Sequence, residues 1–188
     1  MMGILYTLSG RHVKISINKY QRRDIGVMAE LDGISQIDHI RAAKKYLMQL
    51  LARREYSVSE VRLKLQQRQV TADVIDQTIA QFIENDWLSD SRFAAAFTRF
   101  RQAKGFGPRN IRHQLQQRGV EQSIIDQALN NSETPWIETL QSVREKRFGK
   151  ADASDFVSKA KQAKFLQYRG FTDEQIRKLL FRDTDYID

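Results

Sequence analysis

Seven cations and no carboxylate lie between Arg92 and Arg118: Arg92, Arg99, Arg101, Lys104, Arg109, Arg112 and Arg118. Guanidinium groups bind phosphate or carboxylate through paired, charge-assisted hydrogen bonds, so the chemistry offered here is anion binding. Phe93, Phe97, Phe100 and Phe106 interleave with these cations. Base stacking is one use for such rings, but the i, i+4, i+7 spacing of the first three favours a core stripe. Arg109 and Arg112 fall in the first turn of an expected helix, where positive charge opposes the helix dipole. That placement hints at a use outside the fold. A second basic region holds Lys159, Lys161, Lys164 and Arg169, with no acidic residue between Asp155 and Asp173. Both regions belong to corresponding or adjacent helices of a repeated unit, and we expect them to line one concave surface.

Other chemistries find little support. The chain has no cysteine, which excludes disulfides and thiolate metal sites. His12, His39 and His113 lack metal-ligand spacing. Lys104-Gly105-Phe106-Gly107 is too short for a phosphate loop, and Pro108 marks it as a turn into a helix. No carboxylate pair or Ser/His/Asp set stands out. We therefore expect a protein that is not an enzyme and needs no cofactor. Asp90, just ahead of Arg92, reads as a helix cap rather than a reactive acid. A net charge of +8 and a pI of about 9.8 favour a nucleic-acid or acidic protein partner. No apolar run approaches the length of a membrane helix, and the start MMGILYTLSG is too short and polar for a secretory signal. A cytoplasmic location is expected.

The elements that position these residues come from an internal repeat. Residues 57–79 and 107–129 align without a gap at a shift of 50, with nine identities. Arg62, Leu65, Gln66, Gln67, Arg68, Val70, Ile75, Asp76 and Gln77 recur as Arg112, Leu115, Gln116, Gln117, Arg118, Val120, Ile125, Asp126 and Gln127. A weaker third copy spans 165–180, where Leu166, Arg169, Gly170, Ile176 and Leu180 take the matching places. Upstream of each copy stands an apolar trio at helical spacing: Ala43, Leu47 and Leu50; Phe93, Phe97 and Phe100; Trp136, Leu140 and Val143. Each trio falls on one helical face.

Self-similarity at about 50 residues marks a structural array. The pattern predicts an all-α fold of three tandem three-helix repeats forming an elongated curved array. Helices are expected over 39–54, 57–69 and 71–85; over 90–104, 108–118 and 121–131; and over 135–147, 155–169 and 172–182. The repeats themselves are assigned to residues 39–86, 87–133 and 134–188. Ser57 with Glu60 and Thr172 with Gln175 have the form of capping boxes. Gly119 and Gly170 suit left-handed helix ends. Val70, Val120 and Phe171 are expected to plug the core after each second helix. Ile75, Ile79, Phe82 and Ile83 are expected to form a buried stripe on a third helix. Arg68, Arg118 and Arg169 recur in every copy and are either ties within the repeats or ligand contacts.

Residues 1–38 differ from the repeats. Ile4, Tyr6 and Leu8, then Val13, Ile15 and Ile17, alternate with less apolar neighbours around Ser9–Gly10. This is the pattern of a β-hairpin. Such an extension could dock on the repeats, pair with another chain or stay disordered.

Several motifs in residues 40–185 resemble the RecX family. They are Trp87-Leu88-Ser89-Asp90-Ser91-Arg92-Phe93-Ala94, then Lys104-Gly105-Phe106-Gly107-Pro108 with Ile111-Arg112, Leu115 with Arg118-Gly119-Val120, and Phe165-Leu166 with Tyr168-Arg169-Gly170-Phe171. The resemblance implies a regulator of homologous recombination and the SOS response that binds the filament of RecA on single-stranded DNA. It implies limits on filament extension, ATP hydrolysis and strand exchange. A monomer with weak, non-specific DNA contact and no membrane association is expected. The competing reading is a helix-turn-helix-like DNA-binding protein, but the third helices are poor in arginine, which counts against groove reading.

Overall fold

The structure is a computed structural model that describes residues 5–8, 11–14, 24–151 and 155–181, with side chains described from residue 36 onward. The chain divides into two compact units, Met1–Arg41 and Ala42–Asp188. In the first, strands β1 (Leu5–Leu8) and β2 (Arg11–Lys14) pair antiparallel, with Leu5 opposite Lys14 and Leu8 opposite Arg11. Ile4, Ser9, Gly10, Ile15 and Ile17 of the expected hairpin lie outside the described residues.

Nine helices follow among the described residues: α1 (Asp24–Leu51), α2 (Val58–Gln66), α3 (Ala72–Glu84), α4 (Asp90–Ala103), α5 (Pro108–Gln116), α6 (Gln122–Asn130), α7 (Trp136–Phe148), α8 (Phe156–Tyr168) and α9 (Asp173–Leu180). The expected helices appear within a few residues of their bounds, except that α1 begins at Asp24 rather than near 39. Gly26 and Gly33 hid its first half. Each costs about 1 kcal/mol in a helix interior, so a glycine-containing segment reads as loop.

The same turn ends α2, α5 and α8. Val70, Val120 and Phe171 each donate a backbone hydrogen bond at 3.2 Å to the carbonyl five residues back, on Leu65, Leu115 and Leu166. This six-to-one bond is the Schellman signature and needs a left-handed residue just before the donor. Gln69 (φ 59°), Gly119 (71°) and Gly170 (90°) supply it. Val120 and Phe171 are buried as expected, while Val70 is half-buried. Leu65, Leu115 and Leu166 are fully buried at the centre of each repeat.

The second repeat's core gathers Phe93, Ile111, Leu115, Val120, Ile125 and Leu129; the third's gathers Leu140, Leu166, Phe171, Ile176 and Leu180. In the third repeat, Gln162 replaces Val61 and Ile111, and its side-chain oxygen accepts from Nε of buried Arg144 at 3.2 Å. Two expected core residues face outward: Ile83 and Phe100 are 48% and 58% exposed. The stripe on α3 runs instead through Val74, Ile75, Thr78, Ile79 and Phe82, because 3.6-residue periodicity turns position 83 past the buried face.

Candidate functional site

Consecutive repeats meet at two seams built on one plan. The start of a second helix presses on the Arg-Gly turn of the next repeat. At the first seam, Ser57 Oγ donates to the Arg118 carbonyl at 2.8 Å. At the second, the Gly107 amide donates to the Arg169 carbonyl at 2.8 Å and the Arg109 amide to Gly170 at 2.9 Å. The approach is close enough to exclude a β-carbon. One on Gly119 would come within 2.7 Å of the Ser59 Cβ, and one on Gly107 would overlap the Gly170 backbone. A β-carbon on Gly170 would strike the Asn110 side chain at 2.4 Å, so the turn glycines Gly119 and Gly170 supply both the left-handed φ and the clearance, while Gly107 supplies clearance alone.

Local sequence explains the caps at these seams. Ser57 Oγ accepts from the Glu60 amide at 3.0 Å, but the Glu60 carboxylate turns to Arg54 and Arg118 rather than completing a box. Thr172 and Gln175 form the full reciprocal box. Asp90 is not the cap expected of it. Ser89 caps α4, and Asp90 Oδ1 instead accepts from the Val58 amide of the preceding repeat at 2.9 Å. Burial pushes the Asp90 carboxyl pKa up, and the Val58 hydrogen bond works against that rise.

Charge is where the seams part. At the first, Arg54 and Arg118 converge on Glu60, at 3.1 and 3.5 Å. The equivalent positions at the second seam are Lys104, Arg169 and Asn110. An amide stands where the carboxylate stood, and neither Lys104 nor Arg169 has an ion-pair partner among the described residues. Arg169 is held by its ring neighbours, 5.4 Å from the centroids of both Phe106 and Phe165, and reaches the Lys104 carbonyl at 3.4 Å. Beside this pair opens a cleft of about 910 Å³ between α4, α7 and α8. Its cations are Arg99, Lys104, Lys146, Arg147 and Arg169, against the carboxylates Glu133 and Glu138. Buried Gln102 sits in its lining, bonded to the Thr134 carbonyl and the Thr139 hydroxyl at 2.9 Å each.

Comparison with known proteins fits this repeat architecture. Residues 43–82, 89–129 and 137–180 match the RecX first, second and third three-helix domains in turn. A regulatory protein RecX of Pseudomonas putida is 39% identical over 145 residues, covering 77% of this chain and 93% of its own. The chain belongs to the RecX family. A RecX relative from Actinobacillus pleuropneumoniae is 35% identical over 146 residues, covering 78% and 94% of the two chains. Among solved structures, a regulatory protein RecX superposes with a TM-score of 0.69 at 20% identity, covering 81% of this chain and 76% of its own. RecX from Lactobacillus salivarius gives 0.68 at 22% identity, covering 80% and 99%. Both likenesses bear on the fold. The relatives are named regulatory proteins, so the chain is a RecX-family regulatory protein.

Within this RecX-family chain, the cations singled out from sequence fall into distinct settings. Arg92 is tied to Glu55 at 3.1 Å and Asp86 at 2.6 Å, and the Asp86 bond leads in raising its pKa. Arg101 stacks on Phe106 at 3.8 Å, and burial, then Arg118, lowers its pKa. Arg109 bonds Asp173 at 2.9 Å across the second seam. Arg112 pairs with Asp126 as Arg62 pairs with Asp76, one tie repeated. The charges that seemed to oppose the α5 dipole thus have partners inside the fold. Arg118 meets Glu60 and the Gln114 carbonyl and lies over the Phe97 ring at 4.7 Å. Lys159 lies 5.6 Å from the Phe181 ring, and Lys161 and Lys164 are exposed on α8. The cleft gathers only Arg99, Lys104 and Arg169 from the two basic regions. It adds Lys146 and Arg147, which sequence reading passed over.

No group of three or more His, Cys, Asp or Glu that could hold a metal occurs among the described residues. No helix there is long and apolar enough to cross a membrane.

Proposed function

We propose that this chain is a non-enzymatic negative regulator of the RecA recombinase, acting in the cytoplasm as a monomer without a cofactor. It docks on the filament of RecA on single-stranded DNA and limits extension, ATP hydrolysis and strand exchange, with weak, non-specific DNA contact of its own. The partner-facing cations include Arg99, Lys104 and Arg169 of the second seam, together with Lys161 and Lys164 on α8.

Membership in a family of proteins named regulatory supports the reading, and one observation carries it. The second seam holds two cations in the positions that Glu60 neutralises at the first, next to a cleft that adds Lys146 and Arg147 and an Arg99 engaged by Glu133. A fold that needs those charges for itself pairs them. One that leaves them uncompensated has charge to offer an anionic partner.

The test is the ATPase activity of RecA on single-stranded DNA, measured with and without this protein. Turnover should fall as the protein is added, and unchanged turnover at excess protein refutes the proposal. A strongly preferred duplex sequence in a binding selection would instead support the helix-turn-helix reading.

A further inference from the structure

We propose that the cleft at the second seam is a phosphodiester site that takes a short stretch of one nucleic-acid strand. Lys104, Lys146, Arg147 and Arg169 contact its phosphates, and Phe100 and Tyr168 are the surfaces on which its bases stack. The inference deepens the reading above, since it names the chemistry by which a nucleoprotein filament would be held.

Three observations lead to it. The first is charge. Five cations line the cleft against two carboxylates, one of which, Glu133, is already engaged by Arg99 at 3.7 Å. Lys146 and Arg147 are exposed in the last turn of α7, and the helix needs them only weakly as dipole partners.

The second is size. A cleft of about 910 Å³ lies in the range of pockets that enclose one compact ligand. That volume suits a few nucleotides of a single strand and is too small to enclose a double helix.

The third is aromatic exposure. Phe100 stands one turn before Lys104, whose Nζ lies 5.7 Å from the ring centroid, and is 58% exposed. Tyr168 adjoins Arg169 in sequence and is 85% exposed; both rings are sequence neighbours of lining residues rather than part of the lining. Cations beside open ring faces are the means by which proteins hold single strands without reading sequence. An acidic peptide would use the cations and leave the rings idle.

The experiment measures fluorescence anisotropy of a labelled oligothymidylate with the full chain, for wild type and for the double variants K146Q/R147Q and K44Q/K45Q. The two variants lose the same charge, and thermal melting by circular dichroism verifies that each is folded. The cleft variant should lose about tenfold in affinity, and its salt dependence should flatten by about 1.4 in log–log slope for two lost contacts. The Lys44/Lys45 variant should lose less than about twofold. Tyr168→Ala should cost about fivefold or more, with the salt slope unchanged.

Equal losses in the two double variants would overturn the proposal, because the attraction would then belong to net charge. So would displacement of the strand by oligo-aspartate as readily as by unlabelled oligothymidylate. The recombinase assay separates the two readings. If K146Q/R147Q loses the strand yet still suppresses RecA turnover, the cleft stands and regulation runs through another surface. If wild type binds the strand through the cleft yet leaves RecA turnover unchanged, the cleft stands and the regulator reading fails.

Discussion

The two seams share a backbone plan and differ in chemistry. At the first, Glu60 draws Arg54 and Arg118 together. At the second, Lys104 and Arg169 keep those positions, and Asn110, whose side-chain oxygen accepts from Gln114, replaces the glutamate. The backbone contact tightens in compensation. One side-chain bond, Ser57 to Arg118, gives way to two main-chain bonds, Gly107 to Arg169 and Arg109 to Gly170. The lesson is a division of labour within a repeated scaffold. Main-chain bonds can hold a joint while its side chains are released for another use.

The largest effect should come from filling the tighter joint. Gly107→Ala places a methyl group into the Gly170 backbone, and should cost about 3 kcal/mol of unfolding free energy. Gly119→Ala meets only the Ser59 side chain and a φ of 71°, so about 1–2 kcal/mol is expected. Urea midpoints of the two variants test the contrast. Equal costs would mean that the seams are equally tight.

Next comes the carboxylate that bridges the first joint. Asp90→Ala leaves the Val58 amide without its partner and should cost about 1–2 kcal/mol. Asp90→Asn keeps an acceptor and, because burial raises the Asp90 pKa, should be close to wild type at neutral pH. A large loss in the Asn variant would show that the charge itself matters.

Transplanting the first seam's chemistry sharpens the comparison further. Asn110→Glu puts a carboxylate where Glu60 sits, next to Lys104 and Arg169. We expect oligothymidylate affinity to fall about threefold to tenfold with little change in melting temperature. Anisotropy unaffected by the substitution would separate Arg169 from the cleft's binding role.

The smallest effect is acid dependence. Asp173 and Asp126 have pKa values lowered chiefly by bonds from Arg109 and Arg112. Their stabilisation is present above the ordinary carboxylate pKa and disappears as pH falls through the lowered values. Asp90 runs oppositely: with its folded pKa raised, its contribution is fullest below the ordinary value and is lost as pH rises through the raised one. Asp173→Asn should therefore flatten the acid limb of a stability-versus-pH curve, and an unchanged limb would remove the Arg109–Asp173 bond from the second seam's account.

Most of the fold was legible because a repeat states its own register. Arg62 and Asp76 recurring as Arg112 and Asp126 are one ion pair made twice, and the three leucines at 65, 115 and 166 mark three core centres. The first half of α1 was not legible, since Gly26 and Gly33 mask a helix. Asp90 was misread because an acid at a helix start looks like a cap whether it serves its own helix or a neighbour's amide. For the candidate site, counting charges along the chain marked a basic stretch but could not separate Arg92 or Arg112, which have internal partners, from Lys104. Lys146 and Arg147 were invisible to that count because α7 carries acids as well. The signal that locates the cleft lies across the repeats instead: glutamate at 60, asparagine at 110.

Gln69 shows where this scheme stops. It occupies the turn position held elsewhere by Gly119 and Gly170 and adopts the same left-handed backbone with an exposed side chain. A side chain there leaves no landing place for another module's helix start, whose approach would strike the β-carbon. A further joint on this plan at that turn would meet the Gln69 side chain first. Lengthening the array by gene duplication would require a glycine at 69 before any new contact could form.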